Sequence, residues 1–508
     1  MTNETEATLP TFALTDLGNA KRLVHHFGDK MRYCGDMGVW YYWDKFGWNM
    51  DRDGTIERFA KQVAEVVIAA EANAIQDHNS RTEYFKWVKQ SQQRSKIKNM
   101  INLAQTEAKV VVMSYQLDSD PLLLNVRNGT IDLNTGKIRD RDPEDLITKL
   151  AYVDFDSEAE CPTWLKFLDR IMDGDTEKVT MLQQLAGASL TGTQLAGLVF
   201  CYGTGANGKT TFLETLKSLL GDYAQKAPRG MLEDKKYSAI PNDLARLKGA
   251  RLVVSNELSA RRALDAATIK DLTGGDTISA RFLHKEFFEF KPTHTLWVYG
   301  NHQPTIYEVD KGLWRRFHIM PFTVEIPKVE RRSGLAGELL DESPGILNWA
   351  LKGVQDVLEN GRMIKVAKSV MIATQQYREE IDQVGRFLDE ECERKASYTV
   401  LGSELYRSYR EWCNRNYEQP LSIQSFGKEL REKDLTSHKT NKGNLWTGLR
   451  LIDLDTYDDF DDFYGNRDPD GFVISTAQLP ADFHVDDDPF VDVNDDADGE
   501  DLPPEEGA

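Results

Sequence analysis

Sixteen residues, "CYGTGANGKTTFLETL" at 201–216, hold the densest chemistry in this 508-residue chain. Gly203, Thr204, Gly205, Ala206, Asn207 and Gly208 run into Lys209, Thr210 and Thr211. Gly203, Gly208, Lys209 and Thr210 fit the spacing G-x-x-x-x-G-K-[ST]. Glycines let successive backbone N–H groups converge on phosphate oxygens, and the dipole of a following helix adds positive potential. In that setting Lys209 reaches the β- and γ-phosphates, and the Thr210 hydroxyl ligates Mg²⁺. The flanks agree: "LAGLVFCY" reads as a buried strand, and "TFLETLKSLL" has helical spacing. A nucleoside triphosphate is the expected ligand.

Two further strands bring polar ends. "ARLVVSNEL" buries Leu252, Val253 and Val254 and ends in Glu257, a carboxylate able to hold Mg²⁺ or to activate the attacking water. The second role is preferred, with the cation held by Thr210 and waters. Asn256 stands where many such enzymes carry another acid. "THTLWVYGNHQP" ends at Asn301, an amide suited to holding the lytic water or sensing a γ-phosphate. Arg315 and Arg316 follow in "GLWRRFHIMPF", either as surface charge or as an arginine finger reaching a neighbour's site.

The rest of the chain must position these groups, and its length allows roughly two to four domains. From Asp453 to Ala508, 20 Asp and Glu face Arg467 alone, so a tail of charge −19 accounts for nearly all of the net −20. The remaining 61 Lys and Arg are free to form basic patches. Cys34, Cys161, Cys201, Cys392 and Cys413 are too scattered for a zinc ribbon or a disulfide framework. No signal peptide and no apolar run near the ~20 residues of a membrane span is seen, so a cytoplasmic protein is expected, in the host cytoplasm if phage-encoded.

Residues 1–15 read as a flexible N-terminus and 16–180 as an α+β domain. Within it "GVWYYWDKFGWNMD" suits a hairpin, "TIERFAKQVAEVVIAAEAN" a helix, and "LLLNVRNGTIDLNTGKI" paired strands turning at "NTG". An α/β core is expected over 181–370. Over 375–452 three helices, beginning with "VGRFLDEECERK", and a two-stranded end outline a winged helix; 453–508 reads as a disordered acidic tail.

Taken in order, "GTGANGKTTF", "RLVVSNE", "DLTGGDTISARFLHKEFFEFKPTHTLWVYGNHQP" and "WRRF" resemble the superfamily 3 helicases. The likeness is to their phage and plasmid primase-helicase branch, related to the poxvirus-type NTPases. "LLNVRNGTIDLNTGKI" and "CPTWLKFLDRIM" resemble the domain that precedes the motor there, so the likeness covers about residues 20–325 and, more loosely, the winged-helix-like end. The resemblance implies an AAA+-like P-loop ATPase that uses ATP and Mg²⁺, assembles as a homo-hexamer and translocates on single-stranded or forked DNA in replication. Lys209 and Thr210 become the Walker A residues, Glu257 the Walker B carboxylate, Asn301 sensor 1, and Arg315 or Arg316 the trans-acting finger. A DNA-gripping hairpin falls at "SARFLHKEFF", where Arg281, His284 and Lys285 interleave with Phe282, Phe287 and Phe288.

The family's upstream primase domain has no counterpart here, so primer synthesis is not expected. A second class of function is a replication initiator or loader, favoured by Lys428, Arg431, Lys433, Lys439 and Lys442 in the C-terminal module. That module or the acidic tail would then meet replication proteins. A small-molecule P-loop kinase would leave the basic-aromatic hairpin unexplained.

Overall fold

Thr15 opens the first helix, α1 (Asp16–Phe27), by accepting the Gly18 N–H on its hydroxyl at 3.0 Å. The computed structural model describes residues 12–228, 230–233, 242–256, 263–281, 287–306, 311–441 and 443–452. Part of the segment expected to be loose is held: the carbonyls of Phe12 and Ala13 accept from the fully buried Arg22, which also pairs with Glu71 at 2.7 Å.

The aromatic stretch forms the expected hairpin. β1 (Met31–Cys34), β2 (Val39–Asp44) and β3 (Gly47–Met50) are antiparallel, with Trp43 opposite Trp48. α2 (Thr55–Gln62) and α3 (Ile68–Ala74) are joined by one π-helical turn, so the single helix expected there is interrupted but not broken. α4 (His78–Ser91) and α5 (Arg94–Ala104) follow, and β4 (Val111–Val112) then adds to β1 in parallel. Leu23, Ile56, Ala60, Val63, Ile68 and Met100 form the core under these helices.

β5 (Leu123–Val126), β6 (Gly129–Asp132) and β7 (Lys137–Arg139) make an antiparallel meander, and the "NTG" turn places Gly136 at φ +68°. After α6 (Pro162–Ile171) and α7 (Thr176–Ala188) come β8 (Leu198–Tyr202), α8 (Lys209–Leu220), β9 (Ala224–Lys226), α9 (Asn242–Ala245) and β10 (Leu252–Ser255). α10 (Ala266–Thr273), the β11 (Ile278–Ala280) and β12 (Phe288–Phe290) hairpin, β13 (Thr295–Gly300), α11 (Lys311–Trp314) and β14 (Phe317–Pro321) complete the core. Its five strands are all parallel, in the order β14-β8-β13-β10-β9. α12 (Leu335–Asp341), α13 (Ser343–Glu359) and α14 (Lys368–Ile381) close this part of the chain.

The boundary expected at residue 180 falls inside α7, and that at 370 inside α14. One core contains Leu124 and Ile131 of the meander, Trp164 and Ile171 of α6, Leu185 of α7, Val199 of β8, Phe212 of α8 and Val354 of α13. The meander has no apolar layer to itself, so it shares the one beneath the parallel sheet. α7 and α13 meet at two glycines: a Cβ on Gly353 would lie 2.1 Å from the Gln183 carbonyl oxygen.

His294, just before β13, is fully buried, and neither ring nitrogen has a hydrogen-bond partner among the described residues. Burial lowers its pKa from 6.5 to about 4. Below pH 6.5 the unfolded chain therefore binds the proton that the folded chain refuses. Stability is complete above pH 6.5 and is lost as pH falls towards 4, by about 3 kcal/mol for this one group. Denaturant titrations should show His294→Leu losing that much less stability than the wild type between pH 7 and pH 4; parallel losses would remove His294 as the cause.

The two compact units are Met1–Arg386 and Phe387–Ala508. Around the second lie α15 (Gln383–Glu391), β15 (Cys392–Leu401), α16 (Gly402–Arg415), α17 (Ile423–Glu432), β16 (Thr436–Thr440) and β17 (Gly443–Leu451). Here the expectation of three helices and two strands needs correction. "VGRFLDEECERK" leaves the helix after Glu391, and Cys392–Leu401 is the outer strand of a sheet ordered β15-β17-β16. Its partner, β17, lies some fifty residues on, so no local pattern announces the pairing. Phe387, Tyr409, Trp412 and Phe426 pack beneath, with Tyr409 and Phe426 stacked at 4.4 Å. The tail from Asp453 lies outside the described residues. All five cysteines are free and buried, and no described helix is long and apolar enough to cross a membrane.

Candidate functional site

β8 is buried on both faces, and it delivers Gly203 to the carboxyl edge of the parallel sheet. Three residues of the turn have positive φ: Gly203 (158°), Ala206 (57°) and Gly208 (85°), the last opening α8. Side chains are also barred by close approach. A Cβ on Gly203 would lie 2.2 Å from the Phe322 carbonyl oxygen, and one on Gly208 2.5 Å from Ile171 Cγ2. The turn is clasped by the chain leaving β14: Phe322 N–H donates to the Tyr202 carbonyl (2.7 Å) and Ile326 N–H to that of Ala206 (2.9 Å).

Asn207 braces the turn from within. Its Nδ2 donates to the Phe322 carbonyl at 3.1 Å, and its Oδ1 accepts from Lys209 Nζ at 3.0 Å. Lys209 is itself buried and also donates to the Gly203 carbonyl. A buried ammonium at the start of α8 adds its charge to the helix dipole and makes the turn strongly electropositive. Burial pushes the neighbouring Cys201 thiol up, while Lys209 pulls the other way.

A cavity of about 310 Å³ opens here. Gly205, Ala206, Asn207, Gly208, Lys209, Thr210 and Thr211 line it, together with Asn256 from the end of β10 and Tyr299, Gly300 and Asn301 from the end of β13. They meet because β13 lies between β8 and β10, with Tyr299 beside Cys201 and Ser255 beside Val298. Asn256 Oδ1 is buried with no hydrogen-bond partner among the described residues. Burial also raises the pKa of the Tyr299 hydroxyl, which keeps it protonated. Tyr299 and Gly300 escape a reading of the sequence, because a strand buried on both faces has no alternation to mark the side that meets a ligand. Among the described residues no three His, Cys, Asp or Glu gather as metal ligands. Glu257 lies outside the described residues, as do His284 and Lys285.

Arg315 and Arg316 stand elsewhere. They precede β14, whose far end, Pro321, pairs with Tyr202 next to the glycine turn. The five residues of β14, about 16 Å of strand, thus separate them from the edge that carries the cavity. Arg316 is tied to its own chain: its carbonyl accepts from Leu198 N–H at 2.6 Å, and its guanidinium donates to the Lys270 carbonyl at 3.4 Å. Arg315 is exposed. The β11–β12 hairpin pairs Ile278 with Phe290 and Ala280 with Phe288. At its end Arg281 is exposed, its guanidinium 4.7 Å from the centroid of the exposed Phe287 ring.

Residues 20–173 match the family described as D5 N terminal like, residues 201–316 a family of unknown function, and residues 379–446 the family described as Poxvirus D5 protein-like. The chain is 30% identical over 329 residues to "Putative helicase L207/L206" of Acanthamoeba polyphaga mimivirus, covering 59% of this chain and 34% of that one. It is 26% identical over 382 residues to "Putative helicase 022R" of Frog virus 3, covering 59% and 39%. To "Putative primase C962R" of African swine fever virus it is 27% identical over 371 residues, covering 66% and 38%. The matches thus span between a third and two fifths of the length of these relatives. A solved structure, "The A form apo structure of NrS-1 C terminal region-CTR", aligns with a TM-score of 0.46 at 10% identity, over 86% of this chain and 100% of that one.

Proposed function

From a chain that carries the D5 N-terminal-like and poxvirus D5-like domains of the primase-helicase family, we propose an ATP-driven helicase that moves on single-stranded DNA as a homo-hexameric ring during replication. The reading rests above all on one observation: Lys209 and its glycine turn share a cavity with Asn256 and Asn301 at the carboxyl edge of a parallel sheet. This supports a P-loop ATPase of the AAA+ kind, in which neighbouring strands would hold the groups that sense and hydrolyse the γ-phosphate.

In this mechanism the N–H groups of Gly203–Thr211 cradle the phosphates and Lys209 exchanges its carbonyl partners for their oxygens. Glu257 takes the proton of the attacking water, and Asn301 holds that water or the γ-phosphate. Mg²⁺, when bound, would offset the charge of the phosphates. The residues present fit such an ion: Thr210 and Asn256 both line the cavity, and Asn256 Oδ1 is buried with no hydrogen-bond partner among the described residues. Arg315 serves as the finger, because it is exposed while Arg316 is occupied, and one strand length keeps it from its own cavity. A neighbouring subunit is then required, which is the physical ground for the ring.

Arg281, His284 and Lys285 at the hairpin grip the DNA backbone, so binding is nearly independent of sequence. Double replacement, Arg281→Ala with Lys285→Ala, should leave ATP hydrolysis without DNA largely intact, because the cavity is untouched. It should abolish strand displacement on a forked duplex and the stimulation of hydrolysis by single-stranded DNA. Normal unwinding by this variant would remove the hairpin as the grip.

A second reading, an initiator or loader that binds origin DNA without processive unwinding, draws on the C-terminal unit. There α16, α17 and the β16–β17 ribbon follow one another as in a winged helix, with Lys428, Arg431 and Lys433 on or beside α17. Strand displacement separates the two readings: a loader hydrolyses ATP on DNA yet leaves the fork paired.

A further inference from the structure

Between His78 and Ala104, the span of α4 and α5, the chain carries six Lys and Arg against one acid, Glu83, in a protein of net charge −20. Several cations elsewhere in the N-terminal part are paired: Arg22 with Glu71, Arg32 with Glu144, Arg58 with Asp53, Lys61 with Glu57. On α4 and α5, among the described residues, only Lys96 has such a partner, Asp16 at 2.9 Å. Among the described residues Arg81, Lys86, Lys89, Arg94 and Lys98 make no ion pair.

These cations share surfaces. Val88 and Ser91 turn α4 inward, so Thr82, Phe85, Lys86 and Lys89, at spacing i, i+3, i+4 and i+7, form its exposed face. Phe85 stays 39% exposed, with the Arg81 guanidinium 5.9 Å from its ring centroid. On α5, Ile97, Met100 and Ala104 point into the core while Arg94 and Lys98 are exposed. The first turn of α5 has no side-chain cap and no acid, and Arg94 sits there against the dipole. Five like charges so placed repel one another, and none of them is neutralised by an ion pair among the described residues. Their arrangement suits an external polyanion, and an exposed ring among them suits a base that is not already stacked in a duplex.

We propose that the outer surface of α4 and α5 is a second binding site for single-stranded DNA, with the cations on successive phosphates and Phe85 stacking on a base. This rests on the reading of the chain as a DNA motor and adds a contact separate from the β11–β12 hairpin.

The test uses the full chain without nucleotide, a fluorescein-labelled oligothymidylate, and anisotropy titrations across a salt series. The quadruple variant Arg81→Gln, Lys86→Gln, Lys89→Gln, Lys98→Gln should bind at least about tenfold more weakly at low salt. Its log–log salt slope should be shallower by about 0.7 for each phosphate no longer neutralised, two to three in all. Phe85→Ala should weaken binding by about tenfold, and this loss should persist at high salt. Unchanged thermal midpoints establish that both variants are folded. If the wild type binds and both variants match it in affinity and slope, the surface does not touch DNA and the motor reading stands. A quadruple variant that loses affinity for duplex but not for the single strand also overturns the proposal. A wild type that binds no single-stranded DNA overturns the motor reading itself.

Discussion

Lys209→Met is expected to slow ATP hydrolysis by about 10²- to 10³-fold, the usual consequence of removing one preorganised group that meets developing charge. The ammonium is buried at the start of α8, held by the Gly203 carbonyl and Asn207 Oδ1, so it waits in place and need not be recruited from solvent. Methionine keeps most of the stem's volume, so packing around the turn survives and the loss is electrostatic. Nucleotide binding should weaken in the same variant. Glu257→Gln should act differently, keeping nucleotide bound while turnover collapses, because an amide still fills the space but cannot accept the proton. A coupled assay of phosphate release beside a fluorescent-nucleotide titration separates the two. Wild-type turnover in Lys209→Met would remove the glycine turn from the chemistry.

Arg315→Ala is expected to cost about 10³-fold or more in turnover while leaving nucleotide affinity nearly unchanged, as loss of an arginine finger does. Arg315 lies at the amino end of β14 and the cavity at the carboxyl end of the same sheet, so no rearrangement of one subunit brings them together. Mixing Arg315→Ala subunits with Lys209→Met subunits should restore part of the activity, because some junctions then join an intact cavity to an intact finger. Mixed assemblies that demonstrably form and stay inactive would count against a shared site. Arg316→Ala should instead act on stability, since its guanidinium reaches the Lys270 carbonyl within its own chain.

Much of the candidate site was legible because its rules are local. Gly203 and Gly208 must be glycine for reasons of φ and of atoms a few ångströms away, and Lys209 begins a helix whose pattern continues through Leu220. The β2–β3 hairpin, the β5–β7 meander and α6 were visible on the same terms: short-range alternation, helical spacing and turn glycines. Legibility failed where a partner lies far along the chain. β15 looked like the end of a helix because only β17 makes it a strand. The boundary near residue 180 looked natural because a sequence cannot say that Leu124 and Val199 share a core.

By itself, then, the sequence determined which groups are present and how the backbone around the glycine turn must bend, since spacing and backbone sterics act within a few residues. Only the tertiary structure decided which of those groups meet. Strand order inserts β13 between β8 and β10, which brings Asn256, Tyr299 and Asn301 to Lys209 and leaves Arg315 at the opposite edge. Strand order is set by which apolar faces bury one another across long loops, a free energy spread over the whole core and written in no single segment.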